Sequence, residues 1–336
     1  MDWDQLELNP RITTAVRRAK LQSVREVLCV SGPDLQRLTG LSHSDVQQLL
    51  TAAATVCRRH GPIPALLLHR GESGVALSVG CPVLDELLRG GLSVVGVTEL
   101  SGESGAGKTQ LALQLCLSVQ YPTQHGGLNS GAVYICTEDL FPVRRLQQLI
   151  GQQHVLRSDV CPSLISRLQF SDHIYIEHAA DVESLQVCVS RRVPLLLARR
   201  VVRLVVVDSV AALFRSEFQA ADWLERNRQL LTFSSTLHHL SQEFTTPVLC
   251  INQVSDVFSS SDDSLGPLSS SVSPALGLAW ANQVMVRLMM RRLLGTVARG
   301  DQCSACRRLE VVFAPHLARD GRDAGVWREG VRGIPL

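Results

Sequence analysis

Lysine is nearly missing from this chain. Of its 33 basic residues only Lys20 and Lys108 are lysines, so 31 are arginines. A coding bias towards arginine accounts for this better than forked guanidinium recognition of phosphate, which cannot explain the whole excess. The bias makes a surviving lysine informative, and Lys108 survives where an arginine would be too bulky. Charge is also sparse: charged residues make up 19% against an apolar 45%, which excludes bulk disorder and provides for a large buried core. The net charge of +2 identifies no partner by itself. No run of about 18 uncharged apolar residues occurs, which excludes a membrane-spanning helix. Met1-Asp2-Trp3-Asp4 is acidic and has no apolar segment, so no secretory signal is expected. The ten cysteines are then expected as reduced thiols of cytosol or nucleus. A length of 336 residues allows two domains or one large one.

Residues 1–58 read as a small helical domain. Arg11 to Lys20 and Val24 to Cys29 carry helical periodicity. Ser31-Gly32-Pro33-Asp34 has helix-start chemistry, and Thr39-Gly40-Leu41-Ser42 is a tight turn. Ser42 or Ser44 would cap a helix running to about Val56. Two helices joined by such a turn either pack as an ordinary hairpin or hold a nucleic-acid backbone. Residues 59–80 read as a linker, opened by His60-Gly61-Pro62-Ile63-Pro64. Ala65-Leu66-Leu67-Leu68 within it either packs on its own domain or is lent to another subunit.

Residues 81–336 alternate apolar runs with helical patterns. Strands are predicted at Val94–Leu100, Ala132–Cys136, Ile174–Ile176, Arg203–Val207, Val248–Ile251, Val284–Met290 and Leu309–Ala314. Helices are predicted at Thr109–Gln120 and Val143–Ile150. Near-continuous apolar strands between helices predict an α/β core with a parallel sheet covered on both faces. Two segments break the pattern. Gln253 to Pro274 is a long serine-rich and acidic loop, and Gly295 to Arg308 reads as irregular.

The chemistry concentrates in Gly102-Glu103-Ser104-Gly105-Ala106-Gly107-Lys108-Thr109, which fits the phosphate-binding P-loop pattern. Its glycines let successive backbone N–H groups turn towards phosphate oxygens, and a helix N-terminus follows. Lys108 would reach the β- and γ-phosphates of ATP, and the Thr109 hydroxyl would ligate Mg²⁺. Such a loop needs a metal-holding carboxylate on a second strand, which Asp208 supplies at the end of Leu204-Val205-Val206-Val207. Glu138 ends another strand, where it either orients water towards the γ-phosphate or caps the next helix. Asn252 and Gln253 end a third strand and either sense phosphate or form a turn. Cys303 and Cys306 form a CxxC with no second ligand pair nearby, so free thiols are expected rather than zinc ligands.

Together these motifs resemble the RecA-like recombinases of homologous recombination. Gly80-Cys81-Pro82-Val83-Leu84-Asp85, Tyr134-Ile135-Cys136-Thr137-Glu138-Asp139 and Cys250-Ile251-Asn252-Gln253-Val254 carry the resemblance through the core. Asn9-Pro10-Arg11-Ile12 and Gly330-Val331-Arg332-Gly333 extend it over nearly the whole chain. The resemblance implies a RecA-like P-loop ATPase core behind a small N-terminal helical domain. It implies DNA-dependent ATP turnover, weak in rate, with Glu138 as the water-activating glutamate. It implies Arg145 stacked on adenine and Gln253 coupling the γ-phosphate to the second DNA-binding loop. It also implies a mediator role in repair of double-strand breaks and stalled forks, in the nucleus with some cytoplasmic pool. The implied partners are the C paralogue of the eukaryotic recombinase, the recombinase filament, and single-stranded or branched DNA; no membrane partner is implied.

Two departures qualify that picture. The recombinases self-assemble through a Phe-x-x-Ala motif, whereas this chain has Pro62-Ile63-Pro64-Ala65. Ile63 and Ala65 are the candidate docking residues, and one dedicated partner is expected rather than a self-filament. No Lys or Arg occurs from Gln229 through Val286, so the second DNA loop cannot neutralise phosphates. Arg215, Arg226 and Arg228 remain for contact with single strands. A nucleotide-switched scaffold with little turnover is the alternative function; strand exchange by this chain alone is not expected.

Overall fold

The computed structural model describes residues 8–19, 21, 23–57, 75–256 and 272–335. Ile63 and Ala65 lie outside them, as does most of the serine-rich loop. The chain divides into two units, residues 1–73 and 74–336.

Among the described residues the first unit holds four helices: α1 (Pro10–Arg18), α2 (Val24–Leu28), α3 (Gly32–Thr39) and α4 (His43–Cys57). Their boundaries follow side-chain chemistry. Asn9 accepts the Arg11 N–H at 3.0 Å, and Pro10 occupies the first turn, where no N–H is needed. Ser31 accepts the Asp34 N–H at 3.3 Å. Gly40 ends α3 at φ 68°, in the left-handed region glycine enters without penalty. Ser42, rather than Ser44, caps α4: it accepts the Asp45 N–H at 3.2 Å while Asp45 accepts the Ser42 N–H at 3.3 Å. Ile12, Val16, Leu35 and Leu49 are fully buried among these helices.

The second unit is built on a nine-stranded sheet among the described residues, and β8 (Val254–Asp256) pairs with β9 (Val272–Pro274) apart from it. The strand order of the large sheet is β13 (Val331–Gly333), β12 (Gly321–Val326), β11 (Gln302–Phe313), β10 (Val286–Arg299), β3 (Val97–Gly102), β7 (Val248–Asn252), β6 (Val202–Asp208), β4 (Gly131–Cys136) and β5 (Ile174–His178). Its middle holds β3, β7, β6 and β4, with β5 at one edge. These strands run parallel to one another, and β10 joins β3 in the same sense. β11, β12 and β13 then follow antiparallel. The sheet is therefore mixed, not wholly parallel as the apolar strands predict.

Alternation explains why the parallel strands read as unbroken apolar runs. Leu204 and Val206 of β6 enter the core on one face, with Leu111 and Leu115 of the Lys108–Ser118 helix. Val205 and Val207 enter the core on the other, with Phe233 and Leu237 of the Trp223–Phe244 helix. Both faces are covered, so both must be apolar.

Two expectations need correction. Gly295 to Arg308 is not irregular; it forms the distal half of a β10–β11 hairpin. A register shift between Arg292 and Thr296 breaks the two-residue period there, and arginines replace the apolar residues that mark a strand. The linker also ends earlier than residue 80, because β1 (Ala76–Leu77) pairs with β2 (Leu92–Ser93) inside the second unit.

Candidate nucleotide site

The site begins where β3 runs into the Lys108–Ser118 helix. Gly102 lies at φ 153°, and a Cβ there would sit 2.1 Å from the Met290 carbonyl oxygen of β10. Only glycine lets the strand pass that close. Gly105, at φ 72°, turns the loop into open space. The loop curls round the Lys108 side chain, whose Nζ donates to the carbonyls of Gly102 at 2.7 Å and Glu103 at 2.8 Å. Burial lowers the pKa of Lys108, while Asp208, Glu103 and Glu138 work against that shift.

Three adjacent strands bring the remaining groups to the same edge. Asp208 ends β6, and in register it stands beside Cys136 of β4 and Ile251 of β7. Glu138 follows β4 by two residues and Gln253 follows β7 by one. This carboxyl edge is where open α/β sheets bind ligands. Thr109 Oγ1 donates to Asp208 Oδ2 at 2.9 Å, and the Tyr134 hydroxyl donates to the same oxygen. Burial raises the Asp208 carboxyl above its usual range, partly offset by Tyr134, Thr109 and Lys108. Ser209 Oγ beside it is buried with no hydrogen-bond partner. A buried carboxylate, a threonine hydroxyl and an orphaned serine hydroxyl fit a hydrated divalent cation, which takes few protein ligands when phosphate supplies the rest.

These groups line one cavity of about 990 Å³, which includes Gly105, Lys108, Thr109, Glu138, Asp208 and Gln253. Ala106 is buried within the loop instead. The Glu103 carboxylate accepts the Arg292 N–H at 3.3 Å, tying the loop to β10. Ser104 and Gly107 line the cavity with the rest. Gln253 Nε2 donates to Glu138 Oε1, and Gln253 Oε1 accepts from Arg215 at 3.1 Å. Asn252 points elsewhere: it is fully buried and donates to Glu99 and to the Ala275 carbonyl. Arg287 and Trp280 complete that knot on Glu99.

Arg145 lies on the cavity wall beyond the loop. Its guanidinium donates to the carbonyls of Trp327 at 2.7 Å and Arg328 at 3.0 Å, and to Gln110 at 2.6 Å. Of the three candidate DNA-contact arginines, the structure groups two. Arg215 and Arg226 line a separate cavity of about 410 Å³ with Phe218 and Trp223. Arg228 is exposed and pairs with Glu225 at 2.9 Å.

Other parts of the site are silent in the sequence. Tyr134 is an apolar strand residue until its hydroxyl reaches Asp208. Gln302, Cys303 and Arg307 of β11, and Trp327 just after β12, line the cavity from the chain's far end. Nothing in their spacing relates them to the loop. Cys303 and Cys306 stand three positions apart on β11, and of the two only Cys303 lines the cavity. Among the described residues, no group of three or more His, Cys, Asp or Glu could hold a metal ion.

The sequence model of the Rad51 family matches residues 70–332. A second model, the XRCC3/RpoA-like, helix-hairpin-helix domain, matches residues 3–57. DNA repair protein XRCC3 of Mus musculus is 54% identical over 344 residues, covering all of this chain and 99% of the mouse protein. The DNA repair protein XRCC3 homolog of Arabidopsis thaliana is 37% identical over 303 residues, covering 80% of this chain and 96% of the plant protein. DNA repair protein RAD51 homolog 2 of Homo sapiens is 31% identical over 307 residues, covering 85% of this chain and 79% of the human protein.

Proposed function

This chain belongs to the Rad51 family, and from that premise we propose that it is an ATP-binding mediator of homologous recombination. Its role is to help a recombinase assemble on single-stranded or branched DNA at double-strand breaks and stalled forks. It works in the nucleus, with some cytoplasmic pool, paired with the C paralogue of the eukaryotic recombinase. Relatives that are DNA repair proteins over their full length support this reading. No helix among the described residues is long and apolar enough to cross a membrane. The observation that carries the proposal is the meeting of Lys108, Thr109, Asp208, Glu138 and Gln253 in one cavity.

Bound ATP and Mg²⁺ would bring the scissile phosphoanhydride and the charge that neutralises it. The chain's residues divide the remaining work. The loop 102–109 cradles phosphate with backbone N–H groups, and Lys108 adds a fixed positive charge. Thr109 and Asp208 would hold the metal, with Tyr134 fixing the Asp208 carboxylate. Glu138 would orient a water and accept its proton. Arg145 would face the base, and Gln253 links Glu138 to Arg215 towards the DNA-contact region.

One observation favours a second reading, a nucleotide-switched scaffold with little turnover. The Gln253 amide already occupies one Glu138 oxygen, which leaves fewer acceptor sites on the carboxylate to receive a water. Recombinase filament assembly on single-stranded DNA, with the purified paralogue pair and ATP, tests both. The mediator reading predicts faster assembly than the recombinase achieves alone, and no effect on assembly would sink it. Full stimulation by a Glu138→Gln pair would favour the scaffold.

A further inference from the structure

The β10–β11 hairpin carries six arginines, and four of them meet carboxylates. Arg287 pairs with Glu99, Arg291 with Glu310, Arg299 with Glu329 and Arg308 with Asp323. The guanidinium groups of Arg292 and Arg307 pair with no carboxylate among the described residues; Glu103 meets only the Arg292 backbone N–H. The two arginines stand directly opposite each other in the antiparallel register. Like charges in that position repel, and a half-buried guanidinium without an anion is costly. Burial and the neighbouring Arg292 both lower the pKa of Arg307.

Geometry shows where the missing anion belongs. Arg307 lines the P-loop cavity. One terminal nitrogen is held by Ser304 Oγ at 3.0 Å and the Ala305 carbonyl at 2.7 Å, which fixes the side chain across its own strand. The other terminal nitrogen lies 3.4 Å from the Gly105 carbonyl of the loop. Nε is buried and has no partner, and it lies 3.5 Å from where a Cβ on Gly107 would be.

We propose that Arg307, backed by Arg292, is a second phosphate-binding cation of the nucleotide site, supplied by this chain's own C-terminal hairpin. The inference rests on the nucleotide-binding reading and adds to it a residue outside the P-loop. Its ligand is the polyphosphate of a nucleoside triphosphate. The repulsion between the two arginines is relieved when that anion binds, so polyphosphate binding stabilises the hairpin.

The test uses the full chain in its paralogue complex, with fluorescently labelled ATP and labelled adenosine as probes. Arg307→Ala is expected to weaken ATP binding about ten- to a hundredfold, the loss of a charge-assisted hydrogen-bonding group. Adenosine binding stays unchanged, and Arg307→Lys recovers part of the loss. Arg308→Ala, on the same strand but paired with Asp323, binds ATP as the wild type does. Wild-type ATP affinity in Arg307→Ala would overturn this inference alone. A folded wild-type complex that lost no ATP binding on Lys108→Ala, or bound none at all, would overturn the nucleotide reading with it.

Discussion

The two halves of the large sheet solve different problems. In the parallel half, β3, β7, β6 and β4 are buried on both faces; β7, β6 and β4 are mostly apolar, while β3 buries Thr98, Glu99 and Ser101. The site's polar groups sit at the strand ends, where Asp208, Glu138 and Gln253 emerge together. In the antiparallel half, β10 to β12 are only partly buried, and arginine–carboxylate pairs cover outer positions. One half concentrates negative charge at an edge, and the other brings Arg307 and Arg145's carbonyl anchors to the same cavity. A site for a charged ligand needs both: carboxylates to hold a cation, and cations to hold phosphate.

The sharpest way to break this comparison is to disable the parallel edge alone. Glu138→Gln keeps size and hydrogen bonding but removes the base, so ATP turnover should fall about 10²- to 10⁴-fold. Nucleotide affinity, measured by fluorescence titration, should hold. Next comes the seam between the halves, where Glu99 on β3 is fully buried and pairs with Arg287 on β10. Glu99→Ala would leave that guanidinium buried and unpaired, at a cost of about 3–5 kcal/mol in denaturant unfolding. A cost below about 1 kcal/mol would show that the seam relaxes. Within the halves, Leu100→Ala should cost about 2–5 kcal/mol, whereas Arg291→Ala, an exposed pair member, should cost about 1 kcal/mol or less. Equal costs would erase the distinction between a packed half and a charge-covered one.

The smallest effect concerns pH. Burial raises the Asp208 carboxyl in the folded chain. At low pH the group is protonated both folded and unfolded, and its contribution is fully present. As pH rises through the raised folded value, the folded chain must carry a buried charge, and that stability is lost. Asp208→Asn, whose amide oxygen can still accept from Thr109 and Tyr134, should match the wild type in acid. Near neutral pH, without nucleotide, it should melt higher, about 2–4 °C for each kcal/mol regained. An excess of Mg²⁺ and ATP should raise the wild type only. Parallel melting curves at every pH would contradict the assigned cost of burying Asp208.

The same contrast decides what the sequence makes legible. Val205 and Val207 announce a buried strand because no position on it faces water, and the P-loop announces itself because its chemistry is local in sequence. The β10–β11 hairpin does neither. Its arginines hide the alternation, and the shift between Arg292 and Thr296 changes phase midway. Arg307 is therefore invisible as a site residue until the hairpin folds back over a loop 200 residues earlier. Asn252 and Gln253 are adjacent amides that spacing cannot separate; only burial on Glu99 sends one into the core and leaves the other facing Glu138. Tyr134 is likewise apolar by position and polar by destination.

The parallel edge of this chain is expected to bind and turn over ATP in a DNA-linked manner. ATP turnover by the purified paralogue pair, with and without single-stranded DNA, tests this, with Lys108→Ala placed in this subunit only. DNA-stimulated turnover should disappear in the variant while the pair stays assembled. Unchanged turnover in an intact Lys108→Ala pair would contradict it and assign hydrolysis to the partner.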